Sequence, residues 1–556
     1  FFTNLFFFQR LSSSFASPAD SHLGLWIIGV PVVGGALIGL MARFGSDRIR
    51  GHGIPEALEA ILFGKSKMSL KVALLKPLSA AISIGSGGPF GAEGPIIMTG
   101  GAFGSLLAQA FHLTASERKT LLVAGACAGM SAVFFSPIAA TLLAVELLLF
   151  EMKPRSLVPV AAASAAAAVL RPYLLGTGPL FPVAAHAPLP LPGLLFAVAC
   201  GLGAGLASAL LTKLVYLWED FFQKLPFHWA WFPAIGGLAV GLGGYYQPRT
   251  LGVGYDLIGG FLQGDIPSGQ AMVLVSVKAL IWSFALGSGT SGGVLAPLLI
   301  IGGGLGVVEG AFFPAMGPGV WPLVSMAAML GGVMRVPFTA LAFALELTHD
   351  TNILLPLLIA SVAAYATTVL TMKRSILTEK VARRGLHVLR EYAVDLLEKN
   401  HVEEVMTRKV QVLVESWALP RAARVINRGP KHQGYPVVDG RGRLVGMISR
   451  WEITRRKKGR GKTVGDLMNS SLIVAYPQEA CRVVAARMAR HHIGRLPVVS
   501  PSYPGKLLGI LTRSDLLKLN LRHYEEEIQE RFIHMDPSKI VTLPFNSISS
   551  TFRKRA

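Results

Sequence analysis

Three glycine-rich segments hold the residues best placed for chemistry: Gly51-His-Gly-Ile-Pro-Glu-Ala57, Gly87-Gly-Pro-Phe-Gly-Ala-Glu-Gly-Pro95 and Gly287-Ser-Gly-Thr-Ser-Gly-Gly-Val-Leu-Ala-Pro297. Each carries a Pro where a helix would begin, a position at which the missing N–H costs nothing. A helix start offers free backbone N–H groups and about half a unit of positive charge. Glycine lets a ligand come close to that backbone. This suits an anion that has lost its water and must leave again; a full cationic side chain would hold it too tightly. Glu93 stands inside the second segment, and between Lys76 and His112 it is the only residue charged at neutral pH. A carboxylate among anion-seeking N–H groups can take the anion's own place, and protonation or movement frees that place. Glu93 is therefore read as a gate and a candidate proton carrier. The plainer reading is a carboxylate bonded to loop amides.

Such segments need a setting without water, and the composition supplies one. Of 556 residues, 52% are hydrophobic and 15% charged, against about 25% charged in soluble chains. The apolar residues fall in runs, among them Leu23 to Met41, Leu189 to Thr212, Ala271 to Leu286, Val294 to Val308 and Ile353 to Met372. A bilayer core of about 30 Å takes about 20 apolar residues per helix. Several runs reach that length. Others are broken by Gly or Pro, and such breaks at membrane depth survive only inside protein or beside a watery cavity. The opening residues Phe1, Phe2, Phe6, Phe7 and Phe8 form a stretch too short to span, read as an interfacial helix end and not a signal peptide. A start at Phe1 in place of Met is what a trimmed N-terminus gives.

The net charge of +21 is uneven. Lys373 to Ala556 hold 35 Lys and Arg against 17 Asp and Glu, leaving 18 against 15 in the rest. The positive-inside rule and a solvated cytoplasmic domain account for this; a face for anionic lipid or nucleotide is the sharper reading. No basic helix with interleaved aromatics points to nucleic acid. Cys127, Cys200 and Cys481 are too scattered for a disulfide framework or a metal cluster. The His residues contain no HExxH, which argues against a membrane zinc protease and against an enzyme. A divalent-cation channel would need converging carboxylates or carbonyls, not N–H groups.

Two internal repeats organise the chain. Pro95-Ile-Ile-Met-Thr-Gly100-Gly101-Ala-Phe-Gly104 matches Pro297-Leu-Leu-Ile-Ile-Gly302-Gly303-Gly-Leu-Gly306 at an offset of 202. Pro137 and Glu146 match Pro337 and Glu346 at an offset of 200. Two blocks in the same order indicate duplicated halves, which in transporters often pack with opposed topology around a midplane site. In the tail, Gly434-Tyr-Pro-Val-Val438 and Leu444 to Glu452 are echoed by Gly494-Arg-Leu-Pro-Val-Val499 and Leu507 to Asp515. The alternation of short β-like runs and helices there is that of a soluble α+β domain.

The three segments, in this order and spacing, are similar to the signature loops of the CLC chloride channel and transporter family, which read GSGIP, GREGP and GxFxP. The tail resembles tandem CBS repeats. The resemblance covers roughly residues 20 to 385 plus the tail. It implies an all-α polytopic membrane domain of two inverted halves with broken helices, then a cytosolic α+β CBS pair. The boundaries expected are 1–372 for the transmembrane unit, 373–400 for a linking helix, 401–460 and 461–522 for the CBS repeats, and 523–556 for a C-terminal tail. The resemblance further implies a homodimer in the plasma or inner membrane, with an anion path in each subunit and the tail in the cytoplasm.

Carried over by position, Glu93 falls at the family's glutamate gate. Gly53 and Ile54, Gly91 and Ala92, and Leu295 and Ala296 fall at the anion-facing loops. The departures bear on mechanism. His52 stands where Ser is usual, Ala92 where Arg is, Leu295 where Phe is, and Leu377 where the central Tyr is. His52 can donate an N–H or carry a proton near neutral pH; equally, it can point away and be satisfied by backbone. Proton-coupled members usually have a second glutamate after the position of Glu146, and here Leu147 follows. Glu151 is a candidate substitute on a proton path. Glu146 itself reads as a helix-end ligand.

The expected function is transport of chloride or a similar small anion, leaning to a gated channel. The alternatives are a proton-coupled antiporter or a fluoride exporter. No metal or required cofactor is expected. In the tail, Thr512 and Asp515 resemble the ribose corner of nucleotide-binding CBS repeats, with Arg450 and Arg495 placed for phosphate. Adenine nucleotide binding and a purely structural, dimer-stabilising pair are both open.

Overall fold

The computed structural model describes residues 1–556 apart from 15, 177, 387–396, 398–399, 430–431, 456–461, 520 and 522–556. Most of the expected linking helix, the centre of the basic stretch Arg455 to Lys462 and the 523–556 tail thus lie outside the described residues. The chain forms two compact units, Phe1–Tyr392 and Ala393–Ala556.

The first unit is helical. Its first half holds α1 Phe2–Phe8, α2 Gly29–Phe44, α3 Ile54–Leu62, α4 Leu70–Gly85, α5 Glu93–Ala110, α6 Ala115–Phe134, α7 Pro137–Leu143 and α8 Pro154–Leu175. The second holds α9 Leu191–Gln223, α10 Phe232–Tyr246, α11 Tyr255–Gln263, α12 Ser268–Gly287, α13 Leu295–Gly310, α14 Val320–Met334, α15 Pro337–Thr348, α16 Leu354–Thr371 and α17 Ile376–Arg383. Among the described residues, five stretches are long and apolar enough to cross a membrane: Gly24–Phe44, Pro154–Leu175, Leu191–Gln223, Ser268–Gly287 and Leu354–Arg383. The apolar helices α13, α14 and α15 are shorter. Prolines at helix starts and glycine turns between them cut these runs, and their ends stay inside the unit.

The two halves meet through reciprocal contacts. A Cβ on Gly35 would lie 2.2 Å from the Pro233 carbonyl oxygen, and one on Gly237 2.2 Å from that of Pro31. Only glycine lets α2 and α10 touch this closely. Gly91 N–H donates to the Gly293 carbonyl at 3.2 Å, and Gly293 N–H to the Gly91 carbonyl at 2.7 Å. Glu346 accepts from the N–H groups of Ile138 and Ala139 at 2.9 and 2.8 Å. Glu146 accepts from those of Phe338 and Thr339 at 3.2 and 2.7 Å. Each glutamate caps the helix that Pro starts in the other half, where orphan donors and the dipole favour a carboxylate. The halves differ after α7, which continues as a π-helical stretch Ala144–Leu149, whereas α15 stays α-helical to Thr348.

The unit does not end at the expected boundary of 372. Ser375 caps α17 in a box with Thr378, and Ile376, Leu377 and Val381 are fully buried. Arg384, just past α17, grips Glu56 and Glu59 of α3 at 2.6 Å each. The charged stretch after 372 therefore begins as part of the membrane unit.

The second unit contains α18 Val402–Val405, α19 Leu419–Arg428, α20 Arg450–Arg455 and α21 Cys481–Arg490. Strands β1 Leu413–Val414, β2 Gly434–Val438 and β3 Leu444–Ser449 make one sheet, with β1–β2 parallel and β2–β3 antiparallel. Strands β4 Arg495–Val499 and β5 Leu507–Thr512 make an antiparallel pair. The same register shift recurs at Val437/Val438 and Val498/Val499. Thr407 bridges to Ile510 and Asn469 to Met447, so each repeat borrows a segment from the other. Burial alone would raise the Glu479 carboxyl, but the Arg487 guanidinium and the Tyr476 N–H outweigh it and hold it below the usual range.

Candidate functional site

The three glycine segments converge. Gly51 N–H donates to the Gly289 carbonyl at 3.2 Å, and Gly292 N–H to that of Gly51 at 3.4 Å. Gly91 and Gly293 exchange the pair of bonds described above. A Cβ on Gly94 would lie 1.7 Å from the His52 carbonyl oxygen. First, second and third segments are thus joined pairwise, and α3, α5 and α13 start from the same region.

Glu93 sits at that junction and is fully buried. It is the first residue of α5. Its carboxylate lies against Gly91 and Gly293. It faces the N–H groups of Leu295 and Ala296 and its own, yet neither oxygen closes a hydrogen bond of full geometry. The carboxylate is seated where helix-start donors face it without being locked there. The Tyr255 side chain, at the start of α11, is close enough to feel its charge.

The other residues singled out in the loops fall around this point. Gly53 caps α3 at φ +87°, and Ile54 is its first residue. Ala92 caps α5, while Leu295 and Ala296 open α13 and are buried. His52 is 3% exposed, and its Nδ1 meets no partner. A backbone group does not satisfy that nitrogen. Leu377 is buried near the start of α17 and offers no hydroxyl. A phenol reaches this helix from elsewhere, since Tyr216 of α9 donates to the Ile376 carbonyl.

Two buried lysines escaped sequence reasoning. Lys76 of α4 donates to the carbonyls of Ile49 and Gly51 at 2.8 and 2.6 Å and to Ser291 Oγ at 3.1 Å. Lys278 of α12 donates to those of Thr250 and Gly252 at 2.9 and 2.8 Å. Each ammonium absorbs the carbonyls of one turn, leaving that turn's N–H groups to face away. The signal was available: the two lysines are 202 positions apart, the offset of the Pro and Gly blocks.

Glu151 is not free to stand in for a carboxylate at 147. It accepts from Ser156 Oγ at 2.8 Å and lies 3.9 Å from both Lys119 and Lys153. Lys119 sits in the first turns of α6, just past the far end of α5, and the 18 residues of α5 span about 27 Å. Leu147 is fully buried.

In the second unit, Thr512 and Asp515 bond mainly to each other: Asp515 accepts from Thr512 N–H at 3.0 Å and from its hydroxyl at 2.7 Å. Ser449 and Glu452 repeat this box. Thr512 and Arg495 line one cleft of about 440 Å³ with Lys409, His432 and Arg513. Arg450 and Asp515 are not among its lining; Arg450 donates to Asn427. Only two of the four expected nucleotide contacts are therefore brought together.

The sequence profile of the voltage gated chloride channel family matches residues 34–369, and that of the CBS domain matches 402–459 and 464–522. A putative chloride channel protein ClcB-like from Ralstonia nicotianae is 29% identical over 372 residues, 65% of this chain and 86% of the relative. An H(+)/Cl(-) exchange transporter ClcA from Yersinia pseudotuberculosis is 28% identical over 379 residues, 64% of this chain and 77% of the relative. The fold is shared with a slow cyanobacterial Cl-/H+ antiporter (TM-score 0.60, 22% identity, 65% of this chain and 87% of that one). It is also shared with a eukaryotic CLC transporter (TM-score 0.55, 21% identity), over 88% of this chain and 89% of that one.

Proposed function

The chain belongs to the voltage gated chloride channel family and so to a family of membrane anion transporters; from that premise we propose that it exchanges chloride for protons through a path closed by Glu93. One observation carries the gate: the Glu93 carboxylate rests between Gly91 and Gly293, before the N–H groups that would otherwise meet an anion. Anion and carboxylate compete for those donors. A carboxylate that leaves as a carboxylic acid takes a proton with it, so one side chain serves both ions. Exchange is further supported by the Yersinia relative, named as an H(+)/Cl(-) exchange transporter.

The second reading is passive conduction. It is favoured by Leu147, an apolar side chain where coupled members carry a second carboxylate, and by Glu151 being held by Lys119, Lys153 and Ser156. The test is reconstitution in liposomes, following chloride efflux together with external pH for the wild type and Glu93→Gln. Chloride efflux that drives protons uphill, lost in the variant, is the expected result. Efflux with no proton movement would replace exchange by conduction. Repeating the assay with fluoride, bromide and nitrate assigns the anion.

A further inference from the structure

A cavity of about 750 Å³ opens beside the His52 turn, lined among others by Asp47, Arg50, Glu219, Gly289 and Lys380. Three donors near it lack partners. Arg50 Nε is buried without a hydrogen bond, although the guanidinium is fixed over the Trp229 ring at 4.6 Å and packed on Gly289. Lys380 is half-buried, with its Nζ 2.7 Å from where a Cβ on Gly51 would stand. Among the described residues, no hydrogen bond or ion pair takes up that ammonium. The third donor, His52 Nδ1, is buried next to the Lys380 charge. Unpaired buried donors are costly, and three around one glycine turn point to a missing acceptor.

The charges around the turn favour an anion there. Arg383 is committed to Asp220 and Glu379, and Arg384 to Glu56 and Glu59. Lys76 is committed to two carbonyls and Ser291. Of the carboxylates in the cavity, Asp47 is exposed to solvent, and Glu219 stands on the α9 wall. Neither pairs with Arg50 or Lys380 among the described residues. The cationic groups that touch Gly51 and Gly289 are thus the uncommitted ones.

We propose that Arg50 and Lys380 form a recruiting site for a small inorganic anion at this mouth, one step before the His52 turn. The inference rests on the anion-transport reading of the path but not on proton coupling. A cationic mouth raises the local anion concentration and the rate of capture, and salt weakens it. The cavity carboxylates oppose the effect, so removing one strengthens capture.

The experiment measures the chloride dependence of flux in liposomes and chloride binding by calorimetry on the purified protein. The variants are Lys380→Gln, Arg50→Gln, Glu219→Gln and Lys380→Arg, with the exposed Lys373→Gln as control. Half-saturating chloride is expected to rise by about 5-fold in Lys380→Gln and in Arg50→Gln, to fall in Glu219→Gln, and to return in Lys380→Arg. Lys380→Gln breaks no bond, so it tests the idea even where Arg50→Gln fails to fold. Half-saturation and binding that stay within about twofold of wild type in Lys380→Gln overturn the proposal. A wild type that carries chloride without protons sinks only the exchange reading.

Discussion

An alanine at 293 would place its Cβ 2.4 Å from Glu93 Oε2 and 2.6 Å from the Gly91 carbonyl oxygen. The exchanged bonds between Gly91 and Gly293 fix the backbone, so the side chain must yield. In the wild type, anion flux is expected to rise as pH falls, because a protonated carboxyl gives up its claim on the N–H groups. Gly293→Ala should lift flux at neutral pH and flatten that rise. Measuring flux from pH 5 to 8 checks this, and a variant that keeps the full acid response would show that Glu93 is not seated there. At this scale the sequence was partly legible. Glu93 is a single charge in a long uncharged stretch, and the lone carboxylate among glycines was enough to find it. Lys380 was not findable, because it meets Gly51 across more than half the chain and no local pattern reports such a contact.

Between elements, the two glutamate caps hold the halves together. Glu346 serves the start of α7, and Glu146 the start of α15. A charge-assisted bond of this kind contributes about 1.5–3 kcal/mol. Glu346→Gln keeps the shape and gives up the charge, so it should lower the detergent melting temperature while leaving Glu93 gating intact. Unchanged melting would mean that solvent or lipid replaces the cap. The sequence announced these caps through the shared Pro-to-Glu spacing, which encodes a helix start and its ligand together. It did not announce the π-helical stretch after α7, since Ala144 to Leu149 is as apolar as its counterpart. Nor did it show that α17 packs into the membrane unit. The amphipathic face of α17 fits a helix leaving the bilayer equally well, and the contact with α3 is decided by Arg384 meeting Glu56 and Glu59.

For the molecule as a whole, one chain joins an anion path to a CBS pair, and the clefts of that pair decide whether a soluble ligand can report to the path. One cleft of about 690 Å³ is lined by Ser449, Ser471, His491 and Arg495, and the other, of about 440 Å³, by Lys409, His432, Thr512 and Arg495. Arg495 lines both, set at the start of β4. A guanidinium shared by two clefts is the group best placed to meet phosphate from either side. The Thr512 and Asp515 pair is less informative, because the box it makes is repeated by Ser449 and Glu452 and serves the helix start. We therefore propose that an adenine nucleotide binds through Arg495. Calorimetry of the full-length protein with AMP, ADP and ATP should give saturable binding, weakened about 10-fold or more by Arg495→Gln and unchanged by the exposed Arg441→Gln. Binding that survives Arg495→Gln would move the phosphate contact to Lys409 or Arg513. No heat and no change in melting with any of the three nucleotides would leave the pair a structural element, and regulation of the path would then have to enter through Glu93 and the ions themselves.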